Sequence, residues 1–327
     1  MARRATALAH PNIALVKYWG KRDRRLNLPA VPSLSVTLGG FSTQTTVDWD
    51  AGDHDRLVLG GVERGEAELA KARRVLDLVW GSADRPSAHI VSENNFPTAA
   101  GLASSSSAFA ALALAASAAA GQNTDPTHLS VIARQGSGSA ARSLWGGFVE
   151  WRMGEREDGL DSHGAPIAPA DHWDLRLIVA LVSDRKKAVG STDGMTRTQD
   201  TCPLYPGWVQ SAPLDVEEAR AALLRRDLPA LGRVMERSTN KMHATMIATE
   251  PSVRYWRPAS LAALEVVEGL RAEGIAAYST LDAGPNVKVL CGADDADRVA
   301  AALRGGVPQL VDVITLTIGG PARLLDA

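Results

Sequence analysis

The stretch "NNFPTAAGLASSSSAFAALALAASAAAG", residues 94 to 121, constrains the fold more than any other part of the chain. It sets a proline, a glycine and four consecutive serines directly before an alanine-rich apolar run. That run is too short for a membrane span, which takes roughly 18 or more apolar residues, so it reads as a helix buried inside the protein. The start of a helix carries unpaired N–H groups and the positive end of the helix dipole, so an anion placed there is stabilised without a cationic side chain. Gly101 permits close backbone approach, while Ser104, Ser105 and Ser106 offer hydroxyls to phosphate oxygens or to Mg²⁺. A single serine would suffice as a helix cap; four favour a phosphate cradle. There is no GxxxxGK[ST], and no GxGxxG follows a strand, so the cradle is neither of Walker nor of Rossmann type.

At 327 residues the chain has the length of about two domains. Its 35 Lys+Arg against 37 Asp+Glu leave a net charge of -2, without a basic stripe for nucleic acid. A small-molecule partner is expected, and no membrane. Cys202 and Cys291 are far apart and outside any CxxC pattern, which points to a reducing compartment and to no cysteine metal site. The opening "MARRATALAH" lacks the apolar stretch of a secretion signal, so a cytoplasmic location is expected.

Residues 1 to 61 alternate in the manner of antiparallel strands. "EAELAKARRVLDLVW" puts Leu69, Ala72, Val75, Leu76 and Val79 on one helical face. "AHIVSENN" reads as a strand, Asp125-Pro126 as a helix start running through Ala133, and "GGFVEW" as another strand. Residues 154 to 173, rich in Gly, Pro, Asp and His, are expected to be a surface loop at a lobe boundary. Helical patterns follow at 215–226, 228–248, 259–273 and near 293–304, interleaved with strand-like "DLRLIVALVS", "IAAYSTL", "NVKVL" and "VDVITLTI". Strands and helices in mixed order, without regular βαβ alternation, predict an α+β protein.

Three further clusters carry chemistry. "HPNIALVKYWGKRD" places Lys17, Lys21 and Arg22 around Tyr18 and Trp19, so these cations either snorkel to water or meet an anion. "GSGSAARSLWGG" presents Ser137 and Ser139 with Arg142, whose guanidinium suits a carboxylate or phosphate but equally a surface acid. In "STLDAGPNVKVL", Asp282 stands where an apolar strand opens into a turn, as a backbone cap or as a catalytic base. None of the seven histidines falls in a metal-binding spacing, which makes them surface or structural.

Taken in order, "NIALVKYWGKRD", "SLSVTL", "PTAAGLASSSS", "GSGSAARSLWGGFVEW", "SDRKKAVGSTDGM" and "LDAGPNVKVL" resemble the mevalonate diphosphate decarboxylases of the GHMP kinase superfamily, from about residue 8 to about 318. The resemblance implies a two-lobed α+β fold. An N-terminal lobe over residues 1–173 would bind nucleotide and contain a left-handed βαβ unit; a C-terminal α/β sandwich lobe over 174–327 would close the cleft. It implies a homodimer, ATP along Gly101, Leu102, Ser104, Ser105 and Ser106, and Mg²⁺ on Ser105. It implies phosphorylation of the 3-hydroxyl of mevalonate 5-diphosphate, followed by loss of phosphate and CO₂ to give isopentenyl diphosphate. Asp282 would be the catalytic aspartate and Arg142, helped by Asn12, would hold the substrate carboxylate. Lys17 would set the charge around Asp282. Tyr18, Lys21, Ser137 and Ser139 would contact substrate, with Lys186, Lys187 and Ser191 on a loop over the phosphates.

The family pattern "LPxNSSxSVTL" is here "LPAVPSLSVTL", so Val31-Pro32 replace Asn-Ser and remove two hydrogen-bonding side chains and one backbone donor. "GGPAR" also differs from the family's "GxGP" ending. Decarboxylation of mevalonate 5-phosphate, or phosphorylation of the 3-hydroxyl without decarboxylation, stands as the alternative reading.

Overall fold

The alternating N-terminal residues form strands that divide between two sheets in the computed structural model, which describes residues 3–96, 104–185 and 187–326. Gly101, Leu102 and Lys186 lie outside the described residues. The first sheet comprises β1 (Arg4–Ala9), β6 (Thr43–Trp49), β7 (Arg56–Leu59), β8 (Val62–Glu63), β9 (Ala88–Asn94) and β16 (Arg323–Leu325), in the order β16-β1-β6-β9-β7-β8. The second holds β2 (Asn12–Val16), β5 (Ser33–Thr37), β10 (Phe148–Trp151) and β11 (Gly164–Ala168), in the order β11-β10-β5-β2. Between β2 and β5 a short ribbon forms from β3 (Lys21–Asp23) and β4 (Leu28–Pro29). The third sheet, antiparallel throughout, contains β12 (Leu175–Leu181), β13 (Ala277–Leu281), β14 (Val287–Gly292) and β15 (Asp312–Leu316), ordered β13-β14-β12-β15.

Parallel pairing among the described strands is confined to β7 and β9, which are joined through β8 and the helix α1 (Glu66–Trp80). The helical face expected from periodicity is the one α1 buries, Leu69, Ala72, Val75, Leu76 and Val79. It packs with α2 (Ser104–Ala119) and α3 (Pro126–Gly136) in one core beneath the first sheet. The alanine-rich α2 is apolar nearly all round, as a fully buried helix must be. Asp125 caps α3 by accepting from the His128 N–H, with Pro126 in the first turn.

The remaining helices are α4 (Ser191–Thr201), α5 (Tyr205–Leu224), α6 (Leu228–Ile247), α7 (Pro258–Ala272) and α8 (Ala296–Gly306). Helices α5 and α6 lie between the second and third sheets, where Leu15 and Val36 share a core with Val216, Leu231, Met235, Leu177, Val179 and Leu290. On the far side of the third sheet, Val267, Val299 and Leu303 of α7 and α8 cover Ile178 and Val289. No helix is long and apolar enough to cross a membrane among the described residues.

Three expectations change. The segment 154–173 is not all loop, because β11 adds to the edge of the second sheet. An edge position tolerates its Pro166, and five residues with a glycine and a proline leave little alternation to read. Helix α5 starts at Tyr205, ten residues before its apolar pattern, since the internal Pro213 hides the first half. Finally, "STDGMTRTQDT" forms α4, so Ser191 opens a helix rather than sitting on a loop.

Candidate active site

Asn12 opens β2 and Lys17 follows its last residue, so one strand sets both in the buried interior. The Lys17 backbone N–H donates to Ser238 Oγ on α6 at 3.0 Å. Its ammonium is 1% exposed and donates to Ala14 O at 2.9 Å and Asp282 Oδ1 at 2.7 Å. This lysine pairs with an acid instead of snorkelling.

Asp282 stands immediately beyond β13, and β14 returns antiparallel with Lys288 opposite Thr280. Side chains alternate along strands, so Lys288, Thr280 and Asp282 share one face. Lys288 Nζ lies 3.1 Å from Asp282 Oδ2. The turn between the strands is pinned by Asn286, whose Oδ1 accepts from the Val182 and Ser183 N–H groups at 2.8 and 2.9 Å. Burial opposes ionisation of Asp282, but Lys17 and Lys288 overcome it and hold the carboxyl far below the ordinary range. Burial in turn pushes the Lys17 ammonium down to about 8, against the pull of Asp282.

Arg142 ends a 3₁₀ turn, Gly138–Arg142, and is 2% exposed. Its Nη1 donates to Ser33 Oγ at 2.6 Å, and Nε and Nη2 donate to Asn12 Oδ1 at 3.2 and 3.1 Å. The Asn12 amide is oriented for this by donating to Ser139 O at 3.0 Å and Ser143 Oγ at 2.7 Å. No carboxylate ion-pairs with Arg142 among the described residues. Burial pushes it down to about 10, still charged at neutral pH. A buried guanidinium without an acid is costly unless an anion joins it. Close by, the Tyr18 ring lies 4.7 Å from that of Trp151, and its buried hydroxyl has no partner among the described residues. Gly138 makes this packing possible, since a Cβ there would lie 2.9 Å from both the Tyr18 hydroxyl and Trp151 Cη2.

The serine cluster divides its labour. Ser105 is exposed and accepts from Ser137 Oγ at 3.2 Å, with Ser139 Oγ 3.4 Å further along. Ser104 is half-buried. Ser106 and Ser107 are fully buried: the first accepts from the Asn12 N–H at 3.3 Å and the second bonds Thr43 Oγ1 at 2.6 Å, stitching α2 to the sheets.

Lys187 joins the site by donating to Ser191 Oγ at 2.7 Å and to Ala283 O, next to Asp282, at 2.9 Å. Lys21 stands apart from Asp282. Its backbone exchanges hydrogen bonds with the Gln199 side chain, and its ammonium is lowered by burial and by Lys71, Arg24 and Arg74. Those cations make a positive rim rather than part of the Asp282 group.

Lys288 and Ser33 escaped the motif reading, although a lysine between valines in "NVKVL" is a visible signal: a charge in an apolar strand needs a partner. His243 on α6 is structural, as expected of the histidines. It is 2% exposed and packs tilted against the Trp256 ring, with centroids 5.1 Å apart, and burial pushes it down to about 4, so it is neutral.

Comparison with known proteins decides the family. Residues 9–164 match the diphosphomevalonate decarboxylase-like N-terminal domain, and residues 177–319 the mevalonate 5-diphosphate decarboxylase C-terminal domain. A diphosphomevalonate decarboxylase of Gibberella zeae is 43% identical over 320 residues, covering 91% of this chain and 84% of that protein. The chain belongs to the diphosphomevalonate decarboxylase family. The human diphosphomevalonate decarboxylase is 39% identical, covering 93% of this chain and 80% of its own length. The structure of MDDEF in complex with MVAPP, AMPPCP and magnesium superposes with a TM-score of 0.91 at 39% identity, covering 99% of each chain. That of mevalonate diphosphate decarboxylase from Staphylococcus aureus also gives 0.91, at 37% identity, covering 99% of this chain and 98% of that one. The α+β, two-domain GHMP kinase-like fold is thereby established.

Set against the diphosphomevalonate decarboxylase pattern, the Val31-Pro32 departure has a structural reason. Val31 is wholly buried among Trp19, Met195, Trp208 and Met246, while Ser33 keeps a hydroxyl on Arg142.

Proposed function

We propose that the protein converts mevalonate 5-diphosphate and ATP to isopentenyl diphosphate, ADP, phosphate and CO₂. The observation that carries this is a buried Arg142, ion-paired with no carboxylate among the described residues, near enough to feel the charge of an Asp282 held by two ammonium groups. The first suits the substrate carboxylate, the second its 3-hydroxyl.

The residues present fit ATP and Mg²⁺. An exposed Ser105 and half-buried Ser104 stand at the N-terminus of α2, where the helix dipole favours phosphate, and Ser105 is our choice of magnesium ligand. Gly101 and Leu102 continue this cradle in the sequence, and Lys186 accompanies Lys187 on the approach to Ser191. Bound Mg·ATP supplies the phosphoryl group that turns the 3-hydroxyl into a leaving group. Asp282 accepts a hydrogen bond from that hydroxyl and aligns it. The carboxylate is a weak base, so it takes up the hydroxyl proton only as the new O–P bond forms, and passes it to water when the products leave. Positioning and charge neutralisation dominate this chemistry. Lys17, Lys187 and Lys21 supply positive charge, while Tyr18, Ser137 and Ser139 hydrogen-bond the substrate. When the 3-phosphate departs with the electrons of the C3–O bond, positive charge grows at C3. The C1–C2 pair then becomes the C2=C3 bond and CO₂ leaves. Arg142, oriented by Asn12, holds the carboxylate without giving it a proton.

The reading includes a nucleotide lobe dividing from its partner near residue 173, a homodimer, and a cytoplasmic site. The last accords with two buried cysteines that stay unpaired. The test offers mevalonate, its 5-phosphate and its 5-diphosphate separately with Mg·ATP while following ADP and CO₂ together. Equal ADP and CO₂ with the diphosphate is the expected outcome. ADP without CO₂, or preference for the monophosphate, would replace the reading with its alternative.

A further inference from the structure

The lysine at position 288 occupies a place where the fold calls for an apolar side chain. It is fully buried in β14, and Leu290 two residues on along the same face belongs to the core with α5 and α6. Burying an ammonium costs several kcal/mol unless it is well paired. We infer, on the reading of Asp282 given above, that Lys288 is a positioning residue. It holds Asp282 Oδ2 while Lys17 holds Oδ1, so the carboxylate presents one fixed face to the substrate hydroxyl.

An ionised carboxylate has about four acceptor positions on its two oxygens. Lys17, from the end of β2, hydrogen-bonds Oδ1, and Lys288, from β14, ion-pairs with Oδ2, so each oxygen faces a different ammonium and acceptor positions remain for substrate. The terminal torsion of aspartate is soft and roughly two-fold; engaging both oxygens from different elements removes that freedom. With Lys17 alone the carboxylate could pivot about its Oδ1 contact.

Lys288 also repels Lys17, and this repulsion adds to the burial that lowers the Lys17 ammonium. The charged and titratable groups around the pair are Lys17, Lys288, Lys187 ahead of α4, Arg142 from the 3₁₀ turn, and the neutral His243 from α6. Removing Lys288 therefore releases one oxygen of Asp282 and raises Lys17.

The test is Lys288→Met in the full chain, with circular dichroism and binding of a non-hydrolysable ATP analogue to verify the fold. We expect kcat to fall by about tenfold or more and KM for ATP to move by less than about threefold. The alkaline limb of the kcat profile should shift up by about half a pH unit or more. An unmoved limb, whether or not kcat falls, would overturn the positioning role. Lys288→Gln gives the same comparison if the methionine variant does not fold. Asp282→Asn is measured alongside. Wild-type turnover in that variant would remove the role of Asp282 itself, whereas an inactive Asp282→Asn beside a wild-type-like Lys288→Met would confine the failure to Lys288.

Discussion

At the scale of single residues, the cleft is a balance between burial and charge. Arg142 is held by two neutral oxygen acceptors, Asn12 Oδ1 and Ser33 Oγ, so its charge is left for a ligand. Arg142→Lys keeps the charge but loses the planar fork, and kcat/KM for the diphosphate should fall by about 10²-fold. A loss under about threefold in steady-state assays would show that the substrate carboxylate lies elsewhere. Lys17 sets the pH dependence. Its ammonium is present below about 8 and is lost as pH rises through that value, so kcat should hold level in the neutral range and decline above about 8. A profile flat to pH 10 would mean that the Lys17 charge is not required.

At the scale of elements, the altered "AVPSL" segment acts through packing. Val31→Asn would place an amide in the apolar cluster around Trp19 without a partner, at a cost of about 2 to 4 kcal/mol. Urea unfolding should show a lower midpoint with unchanged slope; an unchanged midpoint would mean the cluster offers the amide a partner. How far each element was legible follows from the same physics. The face of α1 could be read because its apolar residues recur at helical spacing, and the burial of α2 because it is apolar all round. The clusters around Lys17, Arg142 and Asp282 stood out as charges set in apolar or small-residue surroundings. Their convergence was not local information: Lys17 and Asp282 are 265 positions apart. Lys288 needed the register of β13 against β14, β11 was masked by its proline, and α5 by Pro213.

At the scale of the molecule, each half has a core of its own, but a further core is shared between them. Residues of β2 and β5 share one apolar cluster with α5, α6 and the third sheet. A fragment of residues 1–173 would expose that surface to water. We expect it to lack the cooperative urea transition of the full chain, and a sharp, reversible transition would show that the lobe folds alone.

The pairing of β1 with β16, Thr6 opposite Leu325, has a consequence for the order of events during synthesis. Strand β1 is synthesised more than three hundred residues ahead of the neighbour on one of its edges. Until then that edge offers unsatisfied N–H and C=O groups to any extended chain nearby. The nascent protein is therefore open to mispairing along this edge of β1 until residues 323–325 seal it.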